Sequence, residues 1–179
     1  MIHIAICPLL HGAIAAIDDE GCLVLCEDLP IHNPGPVAWV DVEKLATQVL
    51  IARDDRHGRD PLPARIAINQ CHVKHNRYSA FEKGIVLGSI LAAIQKINLP
   101  SDLIPAAKWK DSMGFGSEPT VFMHESAMID FAQHLFPTGQ ARSAIHAEAL
   151  LLAEYSRQVL LKASSAANPS NVVPLRASA

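Results

Sequence analysis

Cys7 closes an apolar run at the start of the chain, and His11 follows four residues later. A thiol and an imidazole at that spacing could serve as nucleophile and base in acyl chemistry, although no third residue is in view to orient the imidazole. Cys7 and Cys71, joined by one or more of His11, His72 and His146, offer the donors that suit zinc. No C-x₂-C or H-x₃-H pair supports that set, and small buried thiols in strands are the common alternative. A third chemistry is phosphate contact. Lys74, His75, Arg77, Tyr78 and Lys83 crowd into residues 72–84, and Lys108, Trp109 and Lys110 form a second group. Lys and Arg neutralise phosphates, and Tyr or Trp can stack on unpaired bases. The competing readings are a helix entrance for the first group and a core-anchored Trp for the second.

The elements that would position these residues follow from pattern. Residues 2–7, 12–18 and 22–28 read as three short strands, with Gly12 and "DDEG" (18–21) as turns. Pro30, Pro34, Gly35 and Pro36 make 29–36 a loop. A helix is expected through "VEKLATQVLIAR" with Asp41 as its N-cap and Leu45, Val49 and Ala52 on its apolar face. "ARIAINQC" (64–71) reads as a buried strand, with Ala67, Asn69 and Cys71 on one face and Ile66, Ile68 and Gln70 on the other. The helix expected over 79–97 is apolar nearly all round, with Gly84, Gly88 and Ala92 spaced by four. That pattern suits a core helix buried on two sides, or one that also forms a homodimer seam. A short strand from 101 turns into a helix near Pro105, and helices follow at 118–136 and 141–163. Residues 164–179, rich in Ser, Ala, Asn and Pro, read as a disordered tail. Three strands, then helix, strand, helix, strand and helices make a mixed five-stranded α/β sheet covered on both faces, a pattern that suits the ribonuclease-H-like fold.

The chain has 179 residues, which suggests one domain, 1–163, ahead of the tail. Half its residues are hydrophobic and 18% are charged, ample for a core. The net charge is −3 and the pI about 6.3, so any DNA contact must come from a local patch. Cys22 and Cys26 on one strand are roughly 13 Å apart, too far to bridge. Reduced thiols, no signal-peptide pattern and no apolar run beyond "IVLGSILAAI" point to a cytoplasmic protein that does not enter a membrane.

Four segments, in order, resemble the RuvC-like Holliday-junction resolvases, especially the short phage and plasmid versions. "HGAIAAID" is similar to their first hairpin and "IAINQCHV" to their fourth strand. "IPAAKWKDSMGFG" resembles their Pro-Ala-x-x-Trp-Lys segment, and "FAQHLFP" with "AEALLLAEY" their last two helices. The resemblance spans about residues 1–160 and implies crossover-junction endonuclease chemistry. In that chemistry clustered carboxylates hold two Mg²⁺ about 4 Å apart.

On that mapping the ligand positions are degenerate. The first-strand Asp falls on Cys7, a poor partner for a hard cation. The fourth-strand Glu falls on Asn69, which brings an oxygen but no charge. The last helix keeps Glu148, but Ile145 and Ala144 stand where its second acid belongs, and His146 points about 160° away from Glu148. Glu118 and Glu125 replace the Lys that related enzymes tend to place in their segment. No metal is therefore expected. The expected protein is a catalytically inactive homologue, a homodimer binding branched or structured DNA through Lys74, Arg77, Tyr78, Lys83, Lys108 and Lys110. Two alternatives stand beside it: a protein-interaction subunit of a mobile-element system, and an active metal-dependent endonuclease with unusual ligands.

Overall fold

Alternation in the first strand sets the layers. In β1 (Ile2–Cys7) the three Ile side chains enter one core cluster, while Ala5 and Cys7 enter the other. β1 pairs antiparallel with β2 (Ala13–Asp18), and β2 pairs antiparallel with β3 (Leu23–Asp28). After α1 (Val42–Arg53), β6 (Ala64–Gln70) returns parallel to β1, and after α2 (Arg77–Ile97), β7 (Ser101–Pro105) pairs parallel to β6. The sheet order is β3-β2-β1-β6-β7. The chain continues through α3 (Ala106–Ser112), α4 (Val121–Leu135) and α5 (Ala144–Ala167). This computed structural model describes residues 1–33, 35, 37–54, 61–70, 77–116, 121–137 and 141–167.

The two faces differ in side-chain size. Ile2, Ile4, Ile6, Ile14, Ile66 and Ile68 pack on α1 and α2. Ala5, Ala13, Ala15 and Ala67 meet α4 and α5. A face of Ala lets a helix backbone approach closely, and α5 packs across β1, β2, β3 and β6. Asp41 caps α1, its carboxylate accepting from the Lys44 N–H at 3.1 Å. Gly12 is required at the β1–β2 turn, because a Cβ there would lie 2.1 Å from the Cys7 carbonyl oxygen and 2.6 Å from Leu29 Cδ1.

The strand and helix expectations hold within a few residues, with three corrections. The segment expected as a loop contributes β4 (Ile31–His32), which pairs with β5 (Trp39–Val40) in a two-stranded ribbon. The helix α2 is not buried on two sides. It has one sheet face to cover, so Val86, Ile90, Ala93 and Ile94 are buried while Phe81 and Leu91 are 58% and 40% exposed. The last helix runs to Ala167, into the segment expected as a tail, and 168–179 lie outside the described residues. Its expected apolar face is buried at Ala149, Leu152 and Tyr155, but Val159 is exposed.

Candidate functional site

The parallel crossover brings the end of β6 beside the end of β1, and the Ala-lined face sets α5 over both. Asn69 is aligned with Ile104 of β7, and Gln70 with Pro105, so α3 starts at the same end of the sheet. Cys7, Asn69, Trp109, Lys110 and Glu148 meet there.

Asn69 is the hub and is 1% exposed. Its Oδ1 accepts the indole N–H of the buried Trp109 at 3.2 Å. Indole nitrogen can only donate, so the amide oxygen faces Trp109 and the amide NH₂ faces away. That NH₂ donates to Glu148 Oε2 at 3.4 Å and makes a long contact, 3.9 Å, with Cys7 Sγ. The other Glu148 oxygen accepts from Lys110 Nζ at 2.5 Å, with the two side chains 26% and 17% exposed. The same ammonium stands 5.3 Å from the Trp109 ring centroid, a cation–π distance. Ala144 is the first residue of α5, one turn before Glu148, and brings no donor atom.

These residues do not fit a pair of Mg²⁺ ions. Such ions need several anionic oxygens. Here, among the described residues, Glu148 is the carboxylate present, and it already faces an ammonium and an amide NH₂. The amide oxygen that could serve a metal is turned to Trp109. Among the described residues no group of three or more His, Cys, Asp or Glu could hold a metal ion. Of the zinc candidates, His146 is turned elsewhere. His146 lies toward β3, its Nδ1 2.8 Å from Ser143 Oγ and its Nε2 3.4 Å from Asp28 Oδ1. Cys71 and His72 lie outside the described residues. The nucleophile pair fails on access, since His11 is exposed at the turn and Cys7 is 0% exposed.

The second basic group is not one surface. Lys108 is exposed and lines a groove with Arg65, Asp102 and Tyr155, while Lys110 turns to Glu148. Neighbours two apart on a helix face opposite ways. Trp109, 0% exposed, cannot stack on a base. In the first group Lys74 lies outside the described residues, Arg77 and Tyr78 begin α2, and Lys83 is half-buried on it.

A second polar cluster, which sequence reasoning missed, lies at the other end of β1. His3 Nε2 is 2.9 Å from Asp19 Oδ1. Arg157 holds Glu154 through two bonds of 2.8 and 2.7 Å and donates to the Asp19 carbonyl. Burial pushes the Glu154 carboxyl up, but the bonds from Arg157 and Gln158 outweigh it and hold the carboxyl below its ordinary range. The available signal was an acid and a base three apart, just after the apolar run Ala149–Ala153. On the β3 side, burial pushes the Cys26 thiol up to about 12.

No family model and no curated protein matches this sequence. Solved structures that share its architecture include two of a bacterial protein. Thermus thermophilus RuvC aligns with a TM-score of 0.63 at 16% identity, covering 90% of this chain and 97% of that one. T. thermophilus RuvC in complex with a Holliday junction substrate gives the same score and identity, covering 96% of that chain. This mixed five-stranded sheet, with helices on both faces, is the ribonuclease-H-like fold in its RuvC-like form.

Proposed function

We propose that this chain binds branched or structured DNA and does not cut it. One observation carries the reading: at the end of the sheet where a RuvC-like nuclease would gather carboxylates, the acid found among the described residues, Glu148, is held by Lys110 and Asn69. Phosphoryl transfer by two metals relies on positioning and charge neutralisation, and neither has a ligand set to work from. The structural relative in complex with a Holliday junction supports a branched substrate. The proposed phosphate contacts are Lys110 in this cleft, Lys108 on the neighbouring groove, and Lys74, Arg77, Tyr78 and Lys83 of the first basic group.

The test is a gel shift with a four-way junction and a linear duplex of equal length, over a salt series in EDTA. Preference for the junction that weakens steeply with salt is expected, and no retardation at low salt would remove the reading. Incubation of the junction with Mg²⁺ or Mn²⁺ should leave it whole. Cutting that is lost in Glu148→Ala would establish the active-nuclease alternative instead.

A second reading is favoured by exposed apolar surface. Leu50 and Ile51 on α1 are 47% and 63% exposed, and α2 adds Phe81 and Leu91. Beyond the helix's own backbone and the adjoining residues, no described atom lies within 4 Å of where a Cβ on Gly84 or Gly88 would sit. Such a face suits a homodimer seam or a protein partner. Sedimentation of the purified chain as a plain monomer would count against the homodimer seam.

A further inference from the structure

We propose that Lys110 is a built-in counter-ion that takes the place of divalent metal at Glu148, so that a nucleic-acid phosphate enters this cleft against an ammonium rather than against a metal ion. The inference rests on the DNA-binding reading and specifies how that site works. Three features carry it. The ammonium is delivered by topology, because α3 follows directly from β7, whose last residue is aligned with the end of β6. It is committed to the carboxylate, at 2.5 Å, with Trp109 beneath it. It is still 26% exposed, and an ammonium has three donors, of which the contact with Glu148 uses one. The other two can meet phosphate oxygens.

Glu148 and Lys110 cancel, so the carboxylate has no unbalanced charge with which to draw a divalent cation. An incoming metal would have to displace a cation tethered to the same chain. In a metal nuclease, removing the carboxylate removes a ligand. Here it also removes the anion that competes with phosphate for Lys110, so DNA binding should tighten.

The experiment measures junction affinity in EDTA for the full chain, Glu148→Gln and Lys110→Gln, with circular dichroism to confirm folding. Glu148→Gln is expected to bind about threefold to tenfold more tightly. Lys110→Gln is expected to bind more weakly, with the slope of log affinity against log salt reduced by about one. Weaker binding by Glu148→Gln, or an unchanged salt slope in Lys110→Gln, would overturn the proposal. A second arm needs no DNA. Calorimetric titration with Mn²⁺ should stay flat at millimolar concentration for the unaltered chain. Lys110→Met should gain weak binding, tightened at least about tenfold by adding Cys7→Asp. Equal Mn²⁺ binding with Lys110 present and absent would also overturn it. If the unaltered chain retards no DNA, the function reading fails while the Mn²⁺ arm still decides this one.

Discussion

Asn69→Leu distinguishes a working active site from a site converted into structure. Catalytic polar groups are generally kept at a cost in stability, so replacing them with apolar residues of similar size often stabilises a protein. The opposite is expected here, because each Asn69 bond satisfies another buried or half-buried group. Trp109 is 0% exposed and its indole N–H has Asn69 Oδ1 at 3.2 Å. Leaving that donor without an acceptor costs about 1–3 kcal/mol. Glu148 loses the amide donor as well, worth about 0.5–1.5 kcal/mol. The expected loss is therefore about 2–4 kcal/mol, which for a domain of this size lowers Tm by about 4–16 °C. The assay is urea unfolding followed by circular dichroism and Trp fluorescence, for Asn69→Leu, Trp109→Phe and the double variant. Trp109→Phe removes the orphaned donor, so the double variant should recover part of the loss, with a coupling of at least about 1 kcal/mol. A stabilised Asn69→Leu, or additive single variants, would refute the claim that this network supports the fold.

Gly12→Ala should destabilise by about 3 kcal/mol or more, since its Cβ meets two backbone carbonyls and Leu29, read from the urea midpoint. In a Cys71→Ser background at pH 8, a thiol reagent should label the exposed Cys22 rapidly, while Cys26, pushed up to about 12, and the buried Cys7 react only on unfolding. The Glu154 carboxyl is held below its ordinary value of 4.5, so its contribution is present above that pH and is lost as pH falls through the lowered value. The stability gap between the unaltered chain and Glu154→Gln should therefore close on acidification, measured by unfolding midpoints from pH 7 downward. Asp41→Ala removes the α1 cap and should cost about 1 kcal/mol in the same assay.

Local pattern was sufficient for most of the architecture. Period-two alternation in "IHIAIC" and "ARIAINQ" placed both central strands and assigned Asn69 to the face shared with Ala67. Asp41 with the apolar positions Leu45, Val49 and Ala52 set α1. The mapping of a metal site onto Cys7, Asn69 and Glu148 rested on resemblance, and the structure brings Cys7 and Glu148 within reach of the Asn69 amide. What the pattern could not supply was orientation between elements. Lys110 reads in sequence as one of three neighbours in a basic and aromatic group, yet α3 turns Trp109 into the core, Lys108 to a groove and Lys110 to Glu148. Likewise α2 is apolar nearly all round, and composition alone cannot tell a helix with two neighbours from one with a single sheet face beneath it. The chain by itself determined which residues are able to bury, pair or ligate, because those are properties of side chains and of short periodicities. Only the tertiary structure decided that an ammonium from residue 110 lies against a carboxylate from residue 148, because a contact across 38 residues depends on the register of parallel strands and the rotation of two helices, which no local interaction specifies.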